Sequence, residues 1–312
     1  MNTRWIILGW IIACGVAQAQ PAAPSTSDTD LCRTTTNNPD LAIKHCTAAI
    51  ETRKANSEML AAWYVQRGVH WSDKGDYERA IADHTTALKI DAKVRHAHYY
   101  RGRAWSNQGE FDRAIADFDA AIALRADDPV LYHARGVELT VKGDTARAIA
   151  DFDRALQLDP KAQGVHFARG RTLFYQSEFA RAATDLDVAF KTQPNTYTAL
   201  WLYLARKRGG NPDADDLLER ETRRLRGGWP ASVIALYMGR TDAKSVAVSA
   251  TTTDPVRRRE MRCEADFYIA HAHLIKGERP SAQALLQGVQ RDCPKNLLEY
   301  EGTLAELRRL KP

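Results

Sequence analysis

From residue 61 to residue 196 the chain repeats one arrangement of small, large apolar and charged positions every 34 residues. The dipeptide Arg-Gly marks the period at Arg67-Gly68, Arg101-Gly102, Arg135-Gly136 and Arg169-Gly170. With this arginine at position 7, position 15 is Gly75, Gly109, Gly143 or Ser177, and position 20 is Ala80, Ala114, Ala148 or Ala182. Position 24 is His84, Phe118, Phe152 or Leu186, and position 27 is Ala87, Ala121, Ala155 or Ala189. Apolar residues three and four apart have a helical period, so each unit reads as two helices joined at position 15. The glycine there tolerates a left-handed turn, and Pro160 and Pro194 stop the second helices of the third and fourth units. Small residues at positions 8, 20 and 27 let paired helices approach, while larger ones at 11 and 24 fill the space between hairpins. No single hairpin buries its apolar face, so the units must stack.

A 34-residue helical hairpin with these positions has the period of the tetratricopeptide repeat (TPR). The expected fold class is an all-α TPR α-solenoid with four units over residues 61–196. Position 23 is Asp83, Asp117, Asp151 or Asp185, so each position-7 arginine is matched by an aspartate. That pairing predicts a ladder of ion pairs, across each hairpin or to the next, in preference to a row of anion-binding arginines.

The pattern frays at both ends. Pro39 to Ile50 reads as the second helix of a half unit over residues 31–60, with Ala42 at position 20, Cys46 at 24 and Ala49 at 27. Cys32 then falls on the first helix facing Cys46, and a bridge between them would staple a short cap. Residues 197–262 form an irregular helical region. Residues 263–312 restore a unit, with Gly277 at the turn, Ala282 at position 20, Leu286 at 24 and Pro294 at 32, followed by a capping helix from Leu297 to Leu310. A hairpin brings its start and end together, which favours Cys263–Cys293 over the long-range pairings.

The first 19 residues have the form of an export signal: Arg4, an apolar run from Trp5 to Ala13 too short to span a bilayer, and Ala17-Gln18-Ala19 before the cleavage point. Ile11-Ile12-Ala13-Cys14 resembles a lipobox without its usual leucine, which would make Cys14 an acylated N-terminus and the sole attachment to a membrane. The alanine site is the better match. Residues 20–30, rich in Pro, Ser, Thr and Asp, read as a disordered linker. Export implies an oxidising compartment, in which the four remaining cysteines pair as two disulfides. Acidic and basic residues alternate about a net charge of +5 with no basic block, which excludes nucleic acid as the expected partner.

In stacked hairpins, first-helix positions 2, 5, 9, 12 and 13 line the inner face. Here they place His96, Tyr99, Arg103, His133, Phe167, Arg171, Phe174 and Tyr175 in one row, beside Ser72, Asp73, Ser106 and Asn107. Aromatics interleaved with arginine and histidine suit a protein-binding groove, although some of the aromatics would equally pack beneath a neighbouring helix. The Lys/Asn pattern of carboxylate-clamp TPRs is absent. No nucleophile elbow, zinc-protease motif, phosphate loop or dinucleotide fingerprint occurs, so neither enzyme activity nor a cofactor is expected. His96-x-His98 and His271-x-His273 read as ordinary helix residues, because side chains two apart on a helix point to different faces.

The C-terminal block carries a more specific likeness. Trp201-Leu202-Tyr203-Leu204-Ala205, Trp229-Pro230 with Tyr237-x-Gly239, Phe267-Tyr268-Ile269-Ala270 with Gly277 and Ala282, then Glu299-Tyr300 before Glu306-Leu307 occur in this order. In this the chain resembles the NlpI-type TPR proteins of the bacterial envelope. The resemblance implies a periplasmic adaptor, often tethered to the outer membrane, that dimerises and organises peptidoglycan hydrolases or presents substrates to a processing protease. A pilot or assembly factor for a secretion or pilus machine, and an enzyme with a site in residues 197–258, are the alternatives.

Overall fold

The structure is a computed structural model and describes residues 27–34, 37–52, 55–94, 96–162, 164–223, 225, 228–295 and 297–311. The export signal, Cys14 and residues 20–26 of the linker lie outside the described residues. Among the described residues there are 17 helices and no strand. They run as antiparallel hairpins: α1 (Asp28–Thr34) with α2 (Pro39–Glu51), α3 (Ser57–Asp73) with α4 (Tyr77–Ile90), and α5 (Ala97–Asn107) with α6 (Phe111–Leu124). The third and fourth repeat units are α7 (Pro129–Lys142) with α8 (Thr145–Leu158), and α9 (Val165–Tyr175) with α10 (Phe179–Thr192). Then come α11 (Thr196–Arg208), α12 (Ala214–Thr222), α13 (Ala231–Tyr237) and α14 (Ala243–Ser249). The last hairpin is α15 (Pro255–Ile275) with α16 (Arg279–Asp292), and α17 (Leu298–Leu310) closes the chain. Helix α1 starts at Asp28, inside the stretch expected to be linker, and α15 starts a full two turns before the expected boundary at Cys263.

Local chemistry sets the helix ends. Side chains of Asn38, Asn56, Asp76, Asp144 and Asn195 accept a backbone N–H in the first turn of the following helix. Position 15 is left-handed in every unit, and Ser177 (φ 66°) adopts there the conformation that glycine supplies elsewhere. Cys32 with Cys46 and Cys263 with Cys293 stand at disulfide-bond distance, 2.12 and 2.05 Å between sulfurs.

Position 24 meets the next hairpin, as its size suggests, with the His84 ring stacked on Tyr100 of α5 at 5.9 Å, but it also has a role within its own unit. It lies on the position-8 glycine of its own hairpin: a Cβ on Gly102 would come within 2.8 Å of the Phe118 ring, and one on Gly136 within 2.7 Å of Phe152. Helix separation within a unit is therefore set by a ring resting on bare backbone. In the first unit the ring is His84, fully buried with neither nitrogen hydrogen-bonded among the described residues, and burial depresses its pKa to about 4.

The ladder forms, and it runs in both directions at once. Each position-7 arginine donates Nε and Nη2 to both oxygens of its own position-23 aspartate, at 2.7–2.8 Å in all four units. The remaining Nη1 reaches the preceding hairpin, donating to Thr47, Thr85, Asp119 and Asp153 in turn. One planar guanidinium thus joins two helices of one unit to the second helix of the unit before. Position 4 supports it alternately: Tyr64 and Tyr132 lie under Arg67 and Arg135, whereas His98 and His166 bond to Asp117 and Asp185. In the returning C-terminal unit the ladder positions are Ile269 and Leu285, an apolar pair.

Breaking one rung leaves a partner charge largely buried, with side-chain exposures of 19% for Arg135 and 9% for Asp151. We expect Asp151→Ala to lower stability by about 3 kcal/mol. Arg135→Ile with Asp151→Leu, copying the returning unit, should recover most of that loss in denaturant melts. A double variant as unstable as the single one would show that the ladder does more than satisfy its own charges.

Candidate protein-binding groove

First helices of successive units lie side by side, and Ser106 Oγ on α5 donates to Glu138 Oε1 on α7 at 2.7 Å. Along this inner face the residues expected to bind protein divide into two groups. Tyr99, His133 and His96 are half-buried and Arg103 is exposed. Arg103 stands over the Tyr99 ring, 5.8 Å from its centroid, and with Ser72, Asp73 and Asn107 it borders a small cavity. His96 is not a helix residue as expected: it sits before α5 in a left-handed conformation, with its ring within 3.1 Å of Arg125 Nη2. Phe118 and Phe152 back Tyr99 and His133 from below.

Arg171, Phe174 and Tyr175 do not line an open groove, which corrects the expectation from their register. Arg171 and Tyr175 are 7% and 8% exposed under the chain's own last helix, α17, and Phe174 is fully buried among Phe179, Trp201 and His271. Tyr175 Oη and Arg171 Nη2 donate to the Leu298 carbonyl at 3.2 and 3.3 Å, and Arg171 also meets the Glu301 carboxylate at 3.2 Å. At the other end Arg309 donates to the Phe174 and Tyr175 carbonyls that terminate α9. Glu306, 1% exposed, accepts from Arg309 and from Arg208 of α11. Between these clamps Gly302 lets α17 settle onto aromatics: an added Cβ would be 2.9 Å from Phe267 and 3.3 Å from Trp201. Phe167 stays half-buried beside this contact, under the Arg171 guanidinium.

The α17 contact concentrates carboxyl groups. Burial pushes the Glu301 carboxyl up to about 7; Arg171 opposes this, and Glu138 and Glu299 add to it. Glu299 and Glu138 are themselves raised, chiefly by burial. Sequence reading missed Glu138, Leu298 and Glu301. One signal for the first was present, since position 10 is His70, Ala104 and Thr172 in the other units.

The irregular region is tied down by a second buried carboxylate. Glu264, 3% exposed, accepts from Tyr197 Oη at 2.7 Å, Trp229 Nε1 at 2.5 Å and Arg257 Nη1 at 2.8 Å. These partners come from three separate elements, so the group positions helices. Among the described residues no group of three or more His, Cys, Asp or Glu is placed to hold a metal. His271 is buried against Phe267 while His273 meets Glu278 on the surface, so this pair diverges as helix geometry requires.

A carboxyl group whose pKa rises on folding stabilises the packed state while protonated. The contribution of Glu301 is therefore complete below its ordinary value of 4.5 and is lost as pH rises through about 7. Hydrogen exchange of residues 298–310 should speed up between pH 5 and pH 8 beyond the intrinsic rate, and Glu301→Gln should flatten that dependence. Equal pH profiles in the two proteins would remove Glu301 as the cause.

Residues 67–129 and 134–195 match the family model for the tetratricopeptide repeat. Among solved structures, a TPR protein from Parabacteroides merdae aligns with a TM-score of 0.55 at 13% identity, over 91% of this chain and 99% of its own. The C-terminal part of a TPR repeat-containing protein from Cytophaga hutchinsonii aligns at 0.53 with 18% identity, over 88% and 97%. YrrB, a TPR protein with an unusual peptide-binding site, gives 0.51 and 19% over 64% of this chain and all (100%) of its own. At these identities the likeness speaks to fold. Residues 67–129 and 134–195 thus carry the tetratricopeptide repeat, and the chain has the all-helical solenoid fold of these structures, an architecture suited to interaction with other proteins.

Proposed function

We propose that this protein is a non-catalytic adaptor of the bacterial periplasm that holds a partner protein along the open inner face of its first three repeat units. The observation that carries this reading is the division of that face. Its fourth-unit end is covered by α17, while Tyr99 and Arg103 remain accessible beside cavities and His133 stays half-buried. A helix of the chain itself already lies on the surface, so the surface accepts helical segments through apolar contact and arginine–carboxylate pairing. The export signal and two cysteine pairs at bonding distance support an oxidising compartment. The NlpI-type resemblance of the C-terminal block supports cell-wall hydrolases or a processing protease as partners, with dimerisation of the adaptor. Cys14, if acylated, would tether it to the outer membrane.

Mild crosslinking in envelope extracts followed by purification of the intact protein tests the reading. Recovery of a periplasmic peptidase or peptidoglycan hydrolase is the expected outcome. Recovery of secretin or pilus subunits in their place would overturn it in favour of an assembly factor.

A further inference from the structure

The four repeat units are two copies of a 68-residue pair. Position 4 reads Tyr, His, Tyr, His, and both even-numbered units are entered through Lys-x-x and a left-handed residue, His96 or Gly164. The first helices of units 2 and 4 are consequently built alike. Arg103 and Arg171 share position 9, and each lies over the aromatic at position 5, 5.8 Å from Tyr99 and 5.5 Å from Phe167. Beside each ring opens an equivalent notch. Lys93, Val94, His98 and Ala121 border one of about 220 Å³; Lys161, Ala162, His166 and Ala189 border one of about 560 Å³.

The two copies differ around the arginine. Leu298, itself 42% exposed, only edges the fourth-unit notch, whereas Arg171 is buried against the Leu298 carbonyl and the Glu301 carboxylate. Arg103 is exposed and forms no ion pair among the described residues. We propose that the Arg103–Tyr99 cradle receives the first turn of a helix from a partner protein. A leucine of that turn lies along the edge of the notch, and a glutamate three residues later pairs with the Arg103 guanidinium. The chain's own Leu298 and Glu301 are the internal pattern for this ligand.

Three features favour an outside partner. In each copy of the protein α17 is already held at both ends, by Arg171 and by Arg208 with Arg309, so a second copy has no free α17 to offer. His70 stands where the third unit has Glu138, so an incoming glutamate meets an imidazole where Glu301 meets a carboxyl. Asp73, on the same cavity as Arg103, replaces Val141 and disfavours a second acid on that side of the partner. This inference rests on the adaptor reading and names the chemistry of its client.

A labelled peptide with the sequence of residues 297–311, titrated against the full chain and followed by fluorescence anisotropy, tests it. Saturable binding is expected. Arg103→Ala should weaken it about tenfold, the loss of one charge-assisted contact, whereas Arg171→Ala should not. Glu301→Gln in the peptide should cost as much, and no more when combined with Arg103→Ala. Arg103 is exposed, so melting of that variant should match the parent. Absence of binding, binding indifferent to Arg103, or binding lost only with Arg171 would each overturn the cradle. Self-association in sedimentation that depends on Arg103 would assign the site to a second copy and overturn the outside partner. Crosslinking to a client that survives in a chain unable to bind the peptide would refute this cradle and leave the adaptor intact.

Discussion

The position-7 guanidinium is the interaction on which the rest of the structure depends. A solenoid has no central core, so each unit must be fixed to its neighbour by contacts of its own. Apolar burial supplies most of the attraction but little orientation. The arginine adds direction: two parallel hydrogen bonds lock it to Asp at position 23, and the third donor points to the previous hairpin. Because all four units use the same geometry, each first helix is set at the same place on its predecessor. The inner face is a consequence of that repetition.

Where the ladder ends, the architecture changes. Beyond unit 4, Arg206 takes over Asp187 and reaches on to Glu221, one turn later than the period would place it. From there the chain forms a continuous aromatic core from Phe174 through Trp201 to Phe267 and His271. Helix α17 is drawn onto that core, and in covering it also covers the end of the groove. Stability of the C-terminal half and closure of the fourth unit are therefore one packing event. The carboxyl groups that this event buries make it sensitive to pH.

The helical hairpins, their turns and the ladder could all be read from the chain, because each depends on residues a fixed distance apart. Cys263 and Cys293 were legible for the same reason, as the two ends of one hairpin. The fate of Arg171, Phe174 and Tyr175 was not. Their register places them on the inner face, and only contacts with residues more than a hundred positions later, at Leu298 and Glu301, show that this part of the face is filled. Long-range packing of an amphipathic helix leaves no periodic mark. The 68-residue pairing, by contrast, was open to view in Tyr64, His98, Tyr132 and His166. The stronger 34-residue period masked it.

The most direct test of the central claim, that a partner lies on units 1 to 3 while α17 fills unit 4, is photo-crosslinking from single sites in the intact protein. A photoreactive residue in place of Tyr99 should give partner adducts. One in place of Val188, exposed on the second helix of unit 4, should not. Equal adduct yields from the two positions, or adducts from Val188 alone, would contradict the account.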